Sequence, residues 1–389
     1  MIPMTRSRVC IFVASYPVVG GMARIVSALG HALSGEREVL IVGRKFGPSP
    51  FNHYQLSPPP RSLFGPWHLL TTPFYVLTAA LWTVLLKLGG VETILAQDAS
   101  FTACGVALGS LLVRSSLIVF DYGLLVNNRK SNPRYLKIMA NQFQRGRMLE
   151  AWSRMLRLMS RVALLRTTRF FSYSDELTAA ALEHGLHPDK VVKYAFPVDT
   201  NSFKPLGRHE LRHQGPFRLL YVGRLSGDKG FPVLLRAIER LRNLDLRLTV
   251  IGEGDMMEWL LDMKRSRSWI DVLGPVSDGE KLNEIMNSCD LFVYPILISG
   301  GYAMAFLEAM ASGLPGVITD VGPTCSLLLG NPALGLVAKA GDERSLSESI
   351  ERLLRNRSLW QRISQNAPRF IQARFGTESF RHTIQKYLN

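Results

Sequence analysis

Cysteine is scarce in this chain and poorly placed for cross-linking. The four in 389 residues, Cys10, Cys104, Cys289 and Cys325, lie far apart with no CxxC spacing. That pattern argues against a disulfide framework and against a zinc site, and a reducing compartment is the simplest setting. Long uninterrupted apolar runs are missing as well. The N-terminal MIPMTRSRVCIFVASYP has one short run with no small-residue cleavage site after it, so it reads as a first β-strand rather than a secretory signal. In LLTTPFYVLTAALWTVLLKLGG, from Leu69 to Gly90, 18 uncharged residues precede Lys87, but Thr71, Thr72, Thr78 and Thr83 interrupt them. Pro73 is expected to open a helix there, leaving about 14 helical residues, short of the roughly 20 that a bilayer span needs. A buried or half-buried helix is the better reading, and the expected location is cytoplasmic.

Acidic residues are the next shortage. There are 31 Asp and Glu against 46 Lys and Arg, a net charge of +15, which attracts nucleic acid, phosphorylated substrates or an acidic membrane. From Leu124 to Phe170 eleven Lys and Arg face one acid, Glu150. Within that stretch Met148, Trp152, Met155, Leu156, Met159 and Val162 recur at spacings of three and four, and Arg147, Arg154 and Arg161 repeat every seven. This is the pattern of a basic amphipathic helix. Two readings stand: an ordinary helix that buries its Met/Trp side and solvates its arginines, or a membrane-surface helix with Trp and Met in the headgroup region and arginines on anionic lipid. Aromatic stacking of the RNP type, zinc-finger spacing and a helix-turn-helix signature are all missing, so nucleic acid is not an expected partner.

What is present is ample core material, 47% hydrophobic residues, in a chain longer than one core normally supports, so two domains are expected. VCIFVAS reads as a strand, GGMARIVSALGHAL as a helix opened by glycines, and EVLIVG as a strand, a βαβ unit. TILAQ and SSLIVFD read as further buried strands. RFFSYSDELTAAALEHGL reads as a strand, a cap at Ser174 or Asp175, and a helix ending at Gly185. After a mostly polar connector near residues 197–215 the alternation restarts with FRLLYVGRL and runs through GLPGVITD. Two successive α/β units imply two Rossmann-like domains.

Ligands of doubly wound sheets bind beyond the carboxyl ends of strands, where helix N-termini present free N–H groups. Three junctions fit: Gly20-Gly21, Gly223 to Gly230 in YVGRLSGDKGF, and Ser299 to Ala303. VIGEGDM lacks the third glycine of a dinucleotide fingerprint and reads as a tight strand exit. In YVGRLSGDKGF, Arg224 and Lys229 sit among glycines just before a helix and can converge on one polyphosphate. A solvated turn with two incidental cations would leave those glycines unexplained.

GRLSGDKG about 80 residues before GYAMAFLEAMASGLPGVITDVG, with YPVVGGMARIVSAL, FFSYSDEL and FPVDTNSFKP, resembles the family 4 glycosyltransferases of GT-B architecture. The likeness covers Val9 to about Leu354 and is stronger in the C-terminal half. It implies an α/β chain of two Rossmann-like domains facing each other across a cleft: residues 1–200 on the acceptor side, 201–375 binding the nucleotide sugar, and a last helix, 376–389, returning to the first domain. It further implies transfer from a nucleotide diphosphate sugar with retention of configuration, with no cofactor and no metal. Arg224 and Lys229 would neutralise the leaving diphosphate. Amides around Gly301, Ala303 and Met304 would face it, Glu308 would accept from the ribose hydroxyls, and the loop at Val276 would pack on the base. Gly20 and Gly21 would bring backbone close to the acceptor, which is expected to be a lipid-linked or other glycan acceptor at an anionic membrane surface, on the inner face of the cell membrane.

Four places depart from the family pattern. Gly300 stands where the first glutamate of the paired-glutamate motif contacts the donor sugar, and Ala303 replaces a usual glycine. Asp121-Tyr122-Gly123 replaces the histidine and glycine after the strand SSLIVF, which makes Asp121 and Tyr122 the catalytic candidates with Gly300. Phe196-Pro197 replaces an Asn-Gly. In a retaining front-face mechanism the departing phosphate takes the acceptor proton, so loss of the glutamate does not abolish the chemistry. A charged hydrogen bond of that kind is worth about 1.5–3 kcal/mol. An active hexosyltransferase is therefore expected, and a GT-B protein that binds nucleotide without turnover is the alternative.

Overall fold

A computed structural model describes residues 7–13, 21–35, 37–43, 50–55, 67–121, 146–207, 210–211, 215–241, 243–298 and 301–388. The chain forms two compact units, one from residues up to Phe196 together with those from Phe380 on, the other Pro197–Ser379. The division thus falls at 196/197 and 379/380, a few residues from the boundaries read from the sequence.

The first unit holds strands β1 (Ser7–Val13), β2 (Arg37–Gly43), β3 (Asn52–Gln55), β4 (Val91–Ala96), β5 (Leu117–Phe120), β6 (Thr167–Ser172) and β7 (Val191–Lys193). Its helices are α1 (Gly21–Ser34), α2 (Trp67–Leu88), α3 (Phe101–Val113), α4 (Gly146–Arg166) and α5 (Asp175–Glu183). The strands pair in the order β3-β2-β1-β4-β5-β6-β7, all parallel. In β1 the last five residues are buried, as a Val/Ile/Phe-rich run covered on both faces requires. The order reverses between β1 and β4.

Two helices differ from the expectation. Helix α2 starts at Trp67 and carries Pro73 inside it. A proline in the second turn removes a single backbone bond, and the preceding residues extend the helix regardless. Thr72, Tyr75, Val76, Ala79, Thr83 and Leu86 form its buried side. Glycines at 105 and 109 let α3 lie tightly on it: a Cβ on Gly105 would stand 2.7 Å from the Val76 carbonyl oxygen, and one on Gly109 2.5 Å from that of Ala80. In α4 the buried line is Leu156, Ser160, Ala163 and Leu164, while Met155, Met159 and Val162 are half-buried and Arg154 and Arg161 exposed. The side chains of Met148 and Trp152 lie outside the described residues.

The second unit holds β8 (Phe217–Val222), β9 (Leu246–Ile251), β10 (Ile270–Gly274), β11 (Leu291–Tyr294), β12 (Gly316–Thr319) and β13 (Leu336–Ala338). They pair in the order β10-β9-β8-β11-β12-β13, again all parallel. Helices α6 (Phe231–Glu239), α7 (Met257–Arg265), α8 (Gly279–Ser288), α9 (Met304–Ala311), α10 (Gly322–Leu329), α11 (Glu343–Arg355) and α12 (Arg357–Phe375) alternate with them. The Asp290 carboxylate accepts from the Arg218 amide at 2.8 Å, and its carbonyl accepts from Trp360 Nε1 at 2.6 Å, tying α12 to the start of β8 and β11. The last helix, α13 (Thr377–Leu388), begins in this unit, where Thr377 Oγ1 donates to the Val198 carbonyl at 3.2 Å. Its later turns belong to the first unit: the Phe380 ring lies 6.0 Å from that of Tyr194, and Arg37 Nη2 donates to the Leu388 carbonyl at 2.6 Å.

Candidate functional site

The sheet of the second unit reverses order between β8 and β11, which in a doubly wound sheet marks the ligand-binding edge. Four backbone bonds build that edge. The Gly223 amide donates to the Ile251 carbonyl (2.9 Å), Gly252 to Gly274 (2.9 Å), Leu225 to Glu253 (2.8 Å) and Met256 to Leu225 (3.0 Å). A Cβ on Gly252 would stand 2.0 Å from the Gly223 carbonyl oxygen, and one on Gly254 2.2 Å from that of Leu225. The VIGEG glycines therefore serve as a tight strand exit that lets the β8 loop rest on β9. Across the switch point, Gly230 takes φ +68, and a Cβ there would lie 1.9 Å from the Pro295 carbonyl oxygen. The Leu297 amide donates to the Asp228 carbonyl at 2.9 Å.

Held in this way, Arg224 and Lys229 do converge, and what joins them is Asp228. Its Oδ2 lies 3.3 Å from Arg224 Nη2 and 3.5 Å from Lys229 Nζ, and its Oδ1 accepts from Ser226 Oγ at 2.5 Å. Burial pushes the Asp228 carboxyl up, but the Ser226 hydroxyl and the Lys229 and Arg224 charges outweigh it, leaving the group below its ordinary value. The Arg224 side chain is 61% exposed and that of Lys229 20%. The loop thus presents two cations and one anion with the guanidinium facing solvent. Asp228 was not singled out from the sequence, although its place between the two cations was visible there. Beneath the loop, buried Tyr221 donates to the Arg224 carbonyl at 2.9 Å. Burial first, then neighbouring Tyr294 and Asp228, push its phenol above the ordinary value, so it stays a donor.

At the ends of β11 and β12 stands α9. Its N-cap, Ala303, makes no side-chain cap, and the Ala303 amide donates to Thr324 Oγ1 at 2.9 Å in a buried bond. The amides of Met304 and Ala305, in the first helical turn, are the ones without an intrahelical acceptor. Glu308, one turn on, is buried, so it is not a surface helix acid. Gly301 is half-buried ahead of the helix. Val276, half-buried, follows β10 on the same edge, between Gly274 and the α8 cap Asp278. Arg224, Lys229, Val276, Gly301, Ala303, Met304 and Glu308 therefore share the carboxyl edge of one sheet. A surface groove of about 430 Å³ lined by Leu241, Leu246, Arg267 and Trp269 lies at the strands' amino ends, away from this edge.

In the first unit Gly21 is the first residue of α1, beyond the end of β1. Gly20, Tyr122 and Gly300 lie outside the described residues. Asp121 follows β5, fully buried, and accepts the Ala99 amide at 3.0 Å. Asp98, at the end of β4, accepts at Oδ1 from the Ser100 amide and hydroxyl (2.8 Å each) and from the Thr102 amide (3.2 Å), fastening the start of α3. Burial raises its carboxyl despite those bonds, and Oδ2 has no partner among the described residues.

Two parallel sheets, each with the reversed strand order, define the class: this is the GT-B fold of glycosyltransferases. The structure of HepE from Anabaena in complex with UDP-glucose matches it with a TM-score of 0.72 at 16% identity, covering 98% of this chain and 99% of that one. Residues 216–356, within the second unit, match the family described as Glycosyl transferases group 1. Curated relatives include the lipopolysaccharide 1,2-N-acetylglucosaminetransferase of Salmonella typhimurium, 23% identical over 232 residues, 56% of this chain and 58% of that protein. The phosphatidyl-myo-inositol mannosyltransferase of Mycobacterium leprae is 30% identical over 147 residues, 37% of this chain and 39% of that protein. The chain spans about half the length of the curated relatives it matches.

Proposed function

We propose that this protein transfers a hexose from a nucleotide diphosphate sugar to a lipid-linked or otherwise anionic acceptor at a membrane surface, retaining anomeric configuration and using no bound metal. The observation that carries the reading is the meeting of Arg224 and Lys229 on Asp228 at the switch point of a group 1 domain. Diphosphate oxygens would take over part of the pairing that Asp228 now satisfies. The Met304 and Ala305 amides add the partial positive charge of the α9 N-terminus. Glu308 accepts from the ribose hydroxyls, and Val276 lies against the base. Gly20 and Gly21 belong to the acceptor side. Buried Asp121 supports the Asp98–Ala99 turn there. In the reaction the bond from the anomeric carbon to the diphosphate oxygen breaks and a bond to the acceptor oxygen forms on the same face. The acceptor proton leaves with the diphosphate.

The HepE complex makes uridine diphosphate sugars the first donors to test. The names of the two relatives above point to acceptors of lipid or lipopolysaccharide type. Among the described residues no helix is long and apolar enough to cross a membrane, so attachment would be peripheral, with the arginines of α4 on anionic lipid at the inner face of the cell membrane. A second reading, nucleotide binding without turnover, is favoured by one observation: glycine stands at 300 where the resemblance asks for glutamate. Purified protein offered a panel of nucleotide sugars with membrane extract decides between them. Release of nucleotide diphosphate with lipid glycosylation is the expected result; clear nucleotide binding with no turnover on any donor would leave the second reading.

A further inference from the structure

We infer that the outward face of α2, joined by the end of α3, is a docking surface that lies in the headgroup–acyl boundary of an anionic bilayer. Phe74, Leu77, Leu81, Leu85 and Leu88 follow one another at helical spacings of three and four, and each is between 52% and 75% exposed. The stripe is about 21 Å long at the rise of an α-helix. Helix α3 adds Leu108, Leu111 and Leu112, also exposed, and the close approach at Gly105 and Gly109 places these leucines beside the stripe. At the edge strand the exposed Tyr54 ring lies 5.4 Å from that of Trp82, a pair of amphipathic rings suited to an interface. A continuous apolar face of this kind marks an interaction site.

Charge selects the occupant. Helices α2, α3 and α4, with Arg114 at the α3 C-cap, carry Lys87, Arg114, Arg147, Arg154, Arg157, Arg161 and Arg166 against the single acid Glu150. On α4 the exposed line alternates, Arg154, Leu158, Arg161, Leu165. A second copy meeting this face across a two-fold axis would bring cations onto cations, whereas anionic headgroups neutralise them while the leucines leave water. Since no described helix can span a membrane, α2 would lie in the plane of the interface. This deepens the membrane-surface reading above and rests on it for its biological sense, but it stands or falls separately from catalysis.

The full chain is tested by co-sedimentation with phosphatidylcholine vesicles with and without phosphatidylglycerol, alongside Leu81→Gln/Leu85→Gln and Arg154→Gln/Arg161→Gln variants. The wild type is expected on the anionic vesicles. The leucine pair should lose about tenfold in partitioning for each side chain changed, with unfolding midpoint and nucleotide binding unchanged, because both positions are exposed. The arginine pair should lose the preference for phosphatidylglycerol. Equal partitioning of the leucine variant and the wild type overturns the proposal. So does a wild type that ignores vesicles but elutes as a dimer which the leucine variant dissolves, since the occupant is then a second copy. Vesicle binding by a protein that fails to bind nucleotide diphosphate would remove the transferase reading and leave the docking surface in place.

Discussion

Arg224 and Lys229 share one counter-ion: Asp228 Oδ2 lies 3.3 Å from the guanidinium and 3.5 Å from the ammonium. Two cations held on one carboxylate are already oriented before an anion arrives, and together the three groups keep one net positive charge. Arg224→Ala and Lys229→Ala should each weaken nucleotide diphosphate binding by about 10- to 150-fold, the equivalent of a lost charged hydrogen bond of about 1.5–3 kcal/mol. Isothermal titration measures it directly, and unchanged affinity in both variants would take these residues out of the site.

Asp228 should also mark the acid limb of stability. Its folded-state pKa is depressed, so its contribution is present above the ordinary carboxylate value and is lost as pH falls through the depressed one. Asp228→Asn is therefore expected to be less stable than the wild type at neutral pH and to converge with it in acid. Urea unfolding across that range reads the difference, and a constant gap at every pH would contradict it.

Glu308 offers a cleaner test of geometry than of chemistry. If its carboxylate accepts from the ribose diol, Glu308→Gln should weaken binding of uridine diphosphate but not of its 2′,3′-dideoxy analogue, whose hydroxyls are gone. A penalty of the same size with both ligands would mean that Glu308 supports the packing of α9 rather than the ligand, a role its burial also allows.

The legibility of these features in the sequence follows burial. Central strands such as β1 and β8 announce themselves as Val/Ile/Leu/Phe runs because both faces are covered. The edge strands β3 and β13 do not: Asn52–Gln55 is exposed at every residue, and Leu336–Ala338 is three residues long. The cation pair was readable because glycines bracket it, whereas the role of Asp228 depends on the turn that folds it back between Arg224 and Lys229. The outward face of α2 was hidden for a different reason. Its composition is apolar on both sides, so periodicity could not say which side met the core; the close approach to α3 at Gly105 and Gly109 decides it.

Asp98 should titrate in the opposite sense to Asp228. Burial raises its folded-state pKa above the unfolded one, so the stability it confers is fully present below the ordinary carboxylate value and is lost as pH rises through the raised one. Asp98→Asn keeps an acceptor oxygen for the Ser100 and Thr102 amides and cannot ionise. Its stability relative to the wild type is expected to improve as pH rises above the ordinary carboxylate value, a trend that Asp98→Ala, which loses all three bonds, should show from a starting point about 1–3 kcal/mol lower. Parallel pH profiles for wild type and Asp98→Asn would rule out a raised carboxyl at this position.

The contact between α2 and α3 sets the shape of the proposed docking face and can be probed at one methyl group. A Cβ on Gly105 would lie 2.6 Å from Ala79 Cβ and 2.7 Å from the Val76 carbonyl oxygen, too close for either to stay in place. The obstacle includes backbone in the middle of a helix, so relief requires α2 to shift as a body rather than one side chain to turn. Gly105→Ala is expected to destabilise the first unit by about 1–3 kcal/mol, the usual range for overpacking. Gly35→Ala, where a Cβ meets nothing within 4 Å, serves as the control and should stay near the wild type. Chemical unfolding compares the two, and equal stability would mean that α2 and α3 do not pack backbone to backbone at this point.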